Sequence, residues 1–155
     1  MPSSSRSFSV GLISDTHGLM RPEALDALAG SRCIVHAGDI GHPDVLEQLS
    51  RVAPVTAVRG NNDLGKWASA LRETEILEVG KTRIFVIHDV AALESDPEGF
   101  DVVVAGHSHR PREARRGGVL FVNPGSAGPR RFTLPVAVAK LRISGERVRF
   151  ELLAL

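Results

Sequence analysis

Hydrophobic residues in the first half of the chain form short runs that alternate with amphipathic segments. Apolar, β-prone runs at residues 8–14, 33–37 and 55–59 predict strands that are buried on both faces. The segments that start at Pro22 and Pro43 repeat apolar residues at helical spacing, and proline is common in the first turn of a helix. This strand–helix–strand–helix–strand order predicts parallel strands joined by right-handed crossovers.

The second half of the chain is dominated by predicted strands rather than helices. A short helix is expected between the halves, over residues 64–71, packed through Trp67 and Leu71. Gly80 and Gly145 each lie in a short turn between neighbouring strands, which indicates two hairpins. Two sheets packed face to face, with helices outside, would bury this many strands most simply. The strands predicted in this half cover residues 73–79, 82–88, 101–105, 119–122, 134–143 and 147–153.

Length and composition are those of an ordinary globular domain. The chain has 155 residues, of which 43% are hydrophobic and 24% are charged. We expect a flexible tail over residues 1–7 and a single domain over residues 8–155. A net charge of +1 and an aromatic content of only 5% give no strong signal for nucleic-acid binding.

Further features bear on location and assembly. No apolar run approaches the roughly 20 residues that a membrane helix needs, and the N-terminal segment lacks the apolar core of a secretory signal. The single cysteine, Cys33, lies in an apolar run and fits a reducing compartment. We therefore expect a cytoplasmic protein without membrane contact, whose C-terminal hairpin could present an edge for an oligomer.

Side chains that can bind metals follow five of the predicted strands. Alone, each has a common explanation as a turn residue, a helix cap or a core histidine, but five such strand ends in order are unlikely to arise by chance. Nitrogen and oxygen donors without a thiolate suit Mn²⁺, Fe or Zn²⁺, and seven donors fit two ions that share a carboxylate. The paired residues at 15 and 17, and at 107 and 109, would point the same way in an extended chain. The seven candidates are Asp15, His17, Asp39, Asn61, His88, His107 and His109.

The order D-x-H, G-D, G-N-x-D, H and G-H-x-H resembles the motif set of the calcineurin-like metallophosphoesterases. The match spans roughly residues 10–126 and is most similar to the small prokaryotic phosphodiesterase branch, which the retromer scaffold subunit also resembles. The resemblance implies an α/β fold, namely a four-layer α-β-β-α sandwich of two mixed sheets flanked by helices. It also implies a metal site at the carboxyl edge of the strands.

The resemblance further implies two divalent ions, with Mn²⁺ expected first and Ni²⁺, Fe or Zn²⁺ as alternatives. Asp39 would bridge the ions and act in catalysis. A hydroxide shared by the ions would hydrolyse a small phosphodiester substrate. The implied ligands are Asp15, His17, Asp39 and His109 for the first ion, and Asp39, Asn61, His88 and His107 for the second.

Two positions depart from the family pattern. Asn62 stands where many phosphomonoesterases of the superfamily have a histidine that protonates the leaving group. Asparagine can donate a hydrogen bond to a phosphoryl oxygen but cannot act as an acid, so esters with good leaving groups are favoured. Asp89 stands where small members often have glycine, and it could orient His88 or add negative charge near the metals.

The remaining candidates surround this set. Arginines crowd the last third of the chain, where they form either a solvated face or a rim that attracts anions. Asn123 and Ser126 lie in a turn that either borders the substrate pocket or is only structural. We also expect Arg110 and Arg112 to contact substrate because they follow His109 closely.

Three polar residues are assigned no ligand role. His36 alternates away from Asp39 along its strand and is expected to be structural. His42 precedes the second helix and is expected to be exposed. Asp63 is either a second-sphere partner of the metal site or, slightly favoured, a helix cap.

The predicted function is thus phosphodiester hydrolysis at a dinuclear metal site. The main alternative is a protein-interaction scaffold of the same fold, although the complete ligand set favours an enzyme. A phosphomonoesterase is a further alternative, which the asparagine at position 62 makes less favourable.

Overall fold

Two five-stranded sheets face one another in the computed structural model, which describes residues 7–155. Residues 1–6 of the predicted tail lie outside the described residues, and Ser7 already belongs to the first strand. The helices are α1 (Pro22–Leu28) and α2 (Pro43–Ser50). The strands are β1 (Ser7–Ile13), β2 (Cys33–His36), β3 (Val55–Ala57), β4 (Thr74–Val79), β5 (Thr82–Ile87), β6 (Val102–Val104), β7 (Arg112–Arg116), β8 (Val119–Asn123), β9 (Ala137–Ser144) and β10 (Arg147–Ala154).

The first sheet has the order β10-β9-β1-β2-β3. Strands β1, β2 and β3 are parallel, as the alternation of strands and helices predicts, while β9 runs antiparallel to β1. Both helices cover the outer face of this sheet, where Leu28 and Leu49 are fully buried against residues such as Ile34. Burying a leucine side chain contributes about 1.5–3 kcal/mol, so these contacts hold the loops between strands and helices in place.

The second sheet has the order β4-β5-β6-β8-β7. Strands β5, β6 and β8 are parallel, and β4 and β7 are antiparallel edge strands. Strand β7 was not predicted, because its sequence REARR carries charges on both faces and shows no apolar alternation. An edge strand tolerates such charges, and the glycine pair at 117–118 was the hairpin signal that could have revealed it.

The main core lies between the two sheets and consists largely of valine, leucine and isoleucine. The predicted fold class, a sandwich of two mixed sheets flanked by helices, is confirmed. The layer on the outer face of the second sheet is thin: within residues 7–155 its helical part is one 3-10 turn, Val90–Ala92, with Val90 and Leu93 packed on the sheet.

Two element boundaries differ from prediction. The helix expected over 64–71 is a 3-10 helix at Trp67–Ala70, although Trp67 and Leu71 do pack against the core as expected. The strand expected to start at residue 134 starts at Ala137, because the preceding segment is a turn region. Among the described residues, no helix combines the length and the hydrophobicity needed to cross a bilayer.

Candidate metal centre

The loops after five parallel strands meet at one edge of the sandwich and carry the candidate ligands. Backbone hydrogen bonds join these loops to one another. The Asp15 amide donates to the Gly38 carbonyl at 2.9 Å, and the His17 amide donates to the Asp39 carbonyl at 3.0 Å. Within the second sheet, the Gly106 amide donates to the His88 carbonyl at 2.9 Å, and the His107 amide reaches across to the Asp15 carboxylate of the first sheet at 3.0 Å. The ligand loops therefore form one connected unit.

Five ligand residues have a left-handed backbone. Their φ angles lie between 48° and 72°, a region that non-glycine residues seldom occupy and that costs about 1–3 kcal/mol each. The extended geometry expected for the two D-x-H and H-x-H pairs is therefore wrong. The members of one pair, His107 and His109, point into different clusters. The five are Asp15, His17, Asp39, His107 and His109.

The first cluster contains Asp15, His17 and His109. Asp15 Oδ1 lies 3.3 Å from His109 Nε2 and 3.9 Å from His17 Nε2. The Nε2 atoms of the two histidines are 3.5 Å apart. Asp15 is fully buried, and its other oxygen accepts hydrogen bonds from the Ser14 hydroxyl at 2.6 Å and from the His107 amide at 3.0 Å. Ser14 was missed by the sequence analysis; its place directly before the strand-end aspartate was the available signal.

The second cluster contains Asp39, His88 and His107, with the Asn61 amide oxygen beside them. His88 Nε2 lies 2.9 Å from Asn61 Oδ1, 3.3 Å from His107 Nδ1 and 3.3 Å from Asp39 Oδ2. The same oxygen of Asp39 is 3.8 Å from His17 Nε2 in the first cluster. Asp39 thus lies between the two clusters.

The donor set fits cations on chemical grounds. His88 Nδ1 donates to the Ala37 carbonyl at 2.7 Å, so in the neutral ring Nε2 carries a lone pair. That lone pair faces the oxygens of Asn61 and Asp39, which are also acceptors. In the first cluster, buried Asp15 Oδ1 has no hydrogen-bond donor within residues 7–155. Acceptors that converge without protons are stabilised by a shared cation, and these nitrogen and oxygen donors suit a transition metal.

The electrostatics keep Asp39 ionised and His109 neutral, and they favour a positive charge at His88. Burial alone would raise the pKa of Asp39, but hydrogen bonds from His88 and Asn62 outweigh it and hold that pKa well below its usual range. Burial lowers the pKa of His109, and the charge of Arg131 acts in the same direction, so this imidazole stays neutral. For His88, burial opposes charging but the hydrogen bond to Asp39 raises the pKa. When no cation is bound, a proton on His88 would therefore take the place of the cation's positive charge.

Two buried residues outside the clusters hold the loops. Asp63 is not a helix cap: its carboxylate accepts from the Gly41 amide at 2.9 Å and from the Gly60 amide at 2.8 Å, which ties the loops after β2 and β3 together. His36 is structural, as predicted, and fully buried. Its Nδ1 accepts from the Gly38 amide at 3.1 Å, so its Nε2–H donates to the Thr16 hydroxyl at 3.0 Å.

Asn62 contacts the carboxylate between the clusters. Its backbone amide donates to Asp39 Oδ1 at 2.9 Å, and its side-chain amide donates to Asp39 Oδ2 at 3.1 Å. Asp89 does not orient His88, because the Ala37 carbonyl does so. The Asp89 carboxylate instead lies 3.7 Å from His107 Nε2 and caps the following 3-10 turn through the Ala91 amide.

The other predicted substrate residues divide into two groups. The Asn123 side chain hydrogen-bonds the Gly106 carbonyl and the Gly125 amide, and the Ser126 hydroxyl donates to the Asp15 carbonyl at 3.0 Å. Both side chains are buried and position ligand loops. Arg110 and Arg112 are exposed, and Arg112 lines the same recess as His107. His42, also exposed as predicted, accepts from the Asp44 amide at the start of α2.

Comparison with known proteins shows which family the chain belongs to. The model of the calcineurin-like phosphoesterase superfamily domain matches residues 8–146. A probable metallophosphoesterase of Methanothermobacter thermautotrophicus is 35% identical, over 93% of this chain and 91% of that protein. The phosphodiesterase YfcE of Escherichia coli is 30% identical, over 73% of this chain and 76% of its own. The structure of Vps29 from Chaetomium thermophilum superposes with a TM-score of 0.76 at 18% identity, covering 96% and 97% of the two chains, and shares the fold. The chain belongs to the calcineurin-like phosphoesterase superfamily.

Proposed function

We propose that the protein is a phosphodiesterase that uses two divalent metal ions. The observation that carries the proposal is the position of Asp39, whose Oδ2 lies 3.3 Å from His88 of one cluster and 3.8 Å from His17 of the other. A carboxylate between two sets of imidazole, amide and carboxylate donors is an arrangement that suits a pair of ions. Relatives named metallophosphoesterase and phosphodiesterase support the same reaction class.

The chain's own residues would supply binding and orientation. His17, Asp15 and His109 would hold one ion, Asn61, His88 and His107 the other, and Asp39 both. Bound divalent ions polarise phosphoryl oxygens and lower the pKa of water, which is the chemistry that hydrolysis needs. Mn²⁺ is the proposed metal on the family resemblance; the imidazole and carboxylate donors without thiolates would also accept Ni²⁺, Fe or Zn²⁺.

The proposal of a diester substrate rests on Asn62. Its amide is held against Asp39 at 3.1 Å and cannot deliver a proton to a departing alkoxide at neutral pH. A phosphodiester with an activated leaving group needs little protonation and is the expected substrate. A phosphomonoesterase would need a proton donor at this position or nearby.

The test is hydrolysis of bis(p-nitrophenyl) phosphate by metal-stripped protein, with Mn²⁺, Ni²⁺, Zn²⁺ and Mg²⁺ restored in turn. Turnover should return with Mn²⁺ and fall at least a thousandfold in Asp39→Ala. The matched control is His42→Ala, which removes an exposed histidine outside both clusters and should keep wild-type activity. A parallel assay with p-nitrophenyl phosphate distinguishes diester from monoester preference.

A scaffold function is the second candidate, favoured by the likeness of the fold to Vps29. It would be supported by protein that binds two ions in calorimetry yet hydrolyses neither ester. The complete set of converging donors favours the enzyme, because a scaffold has no need to keep strained ligand residues.

A further inference from the structure

Two recesses flank the ligand clusters, and their charges differ. One is lined by Asn61 and His88 together with one arginine, Arg59, which pairs with Glu73, and an excess of carboxylates: Asp63, Glu73, Asp89 and Glu94. Those carboxylates would repel an anionic ester. The other recess has a volume of about 350 Å³ and lies along the outer face of the second sheet. It begins at His107 of the second cluster, and its lining includes three arginines of β7 and a single carboxylate, Asp89, which also lines the first recess. A phosphate ester is thus better matched by the second recess.

The floor of this arginine-lined recess is apolar. Val103 of β6, Ala105 directly after that strand and Phe121 of β8 face outward, because their neighbours along the chain face the core between the sheets. Ala114 of β7 lies directly opposite Phe121 in the strand pairing. Val90 of the 3-10 turn forms a wall. The recess exists because a single 3-10 turn, rather than a longer helix, covers this face within residues 7–155.

The two ends of the recess have different chemistry. At the far end, Arg116 is tied to Asp96 by hydrogen bonds of 2.8 and 3.0 Å and stacks on Phe121 with its guanidinium carbon 4.4 Å from the ring centre. Arg112, nearer His107, is exposed and makes no ion pair within residues 7–155. An apolar floor with a free cation beside metal ligands matches an ester with an aromatic group and an anionic phosphate.

We propose that this recess binds the planar, aromatic organic group of a phosphate ester, and that Arg112 attracts the ester's negative charge. The volume suits one ring with its substituents, since ligand pockets start at about 300 Å³. The proposal rests on the proposed phosphoesterase function and adds a substrate class to it: aryl or heterocyclic esters rather than small alkyl esters.

The test compares two non-hydrolysed monoanions, methyl phenylphosphonate and methyl methylphosphonate, by calorimetry on the Mn²⁺-loaded protein. The phenyl compound should bind at least about tenfold more tightly, which corresponds to about 1.4 kcal/mol. Ala114→Trp fills the recess and should abolish this preference while leaving methyl methylphosphonate affinity unchanged. Ala154→Trp is the matched control, because Ala154 is an exposed alanine on β10, the edge strand of the other sheet.

A second variant and a folding control keep the outcomes distinct. Arg112→Gln should weaken both compounds equally, by about threefold to tenfold, and this effect should vanish at high salt. Each variant must retain the wild-type Mn²⁺ stoichiometry; if Ala114→Trp does not, Ala114→Leu replaces it.

Three results would overturn the proposal, and each has its own meaning. Equal affinity for the two compounds would refute binding of the aromatic group in the recess, while leaving the proposed phosphoesterase function intact. If neither compound binds to the Mn²⁺-loaded protein, the proposed phosphoesterase function is refuted as well. A wild-type dimer in sedimentation that Ala114→Trp converts to a monomer would show that a second copy of the chain occupies this face.

Discussion

The histidine buried beneath the metal loops should make the protein sensitive to acid. His36 is fully buried, and its Nδ1 is committed to accepting the Gly38 amide. Burial and the nearby His88 lower its pKa from the usual 6.5 to about 3, against the opposing attraction of Asp39. In the unfolded chain this histidine gains a proton as the pH falls through 6.5, but in the folded protein it does so only near pH 3. The free energy of unfolding therefore falls with pH across that window.

The magnitude follows from the width of the window. At about 1.4 kcal/mol per pH unit, the full effect approaches 5 kcal/mol near pH 3, and about 2 kcal/mol is already lost by pH 5. Total stabilities are about 5–15 kcal/mol, so His36 alone removes a large share of the stability in acid. Above pH 6.5, His36 is neutral in both the folded and the unfolded protein, so it no longer lowers the free energy of unfolding.

Urea denaturation with EDTA at pH 8 and pH 5 measures this effect. We compare wild type with His36→Asn, whose amide oxygen can still accept from the Gly38 amide, and with His42→Asn as an exposed control. Wild type and His42→Asn should each lose about 2 kcal/mol more than His36→Asn between the two pH values. Equal losses in all three proteins would refute the assignment of a neutral, buried imidazole at position 36.

The remaining predictions concern the loops that hold Asp39. Gly60→Ala should weaken Mn²⁺ binding at least tenfold in calorimetry, because its Cβ would collide with the amide and carboxylate of Asp39; unchanged affinity would contradict this packing. Asp63→Ala leaves the amides of Gly41 and Gly60 without their acceptor and should cost about 2 kcal/mol in thermal or urea unfolding, whereas a loss below 0.5 kcal/mol would show that water replaces the carboxylate. Asn62→His should raise turnover of an alkyl ester with a poor leaving group by at least about tenfold, and no gain at all would show that a missing acid is not the limitation.

The clustering of the candidate ligands was predictable because each stands in a short local motif after a strand, and parallel strands bring their carboxyl ends to one edge. The alternation of side chains along residues 33–37 likewise predicted that His36 points away from Asp39 and is structural. The role of Asp63 could not be predicted in the same way: the two amides that it bonds belong to loops 22 and 3 residues away, so only the fold shows that both are within reach.

Backbone conformation was the other limit of the sequence. The pairs at 15 and 17 and at 107 and 109 have the spacing of an extended chain, but sequence spacing does not report a left-handed φ at a non-glycine residue. Strand β7 was not predicted, for a related reason. Its arginines point to both faces of the sheet, because one face meets solvent and the other lines the recess. In the sequence, such a strand cannot be distinguished from a charged loop.

The left-handed ligand residues also bear on how this fold can lose its chemistry. Five candidate ligand positions each carry about 1–3 kcal/mol of conformational cost, which the proposed metal binding would explain. Glycine adopts the same φ without that cost, so a lineage released from catalysis could gain stability by replacing ligands with glycine. Under the proposed function, selection for catalysis and selection for stability would oppose one another at these sites. As the proposed metal ligands, these five residues would therefore keep the chain below its maximal stability.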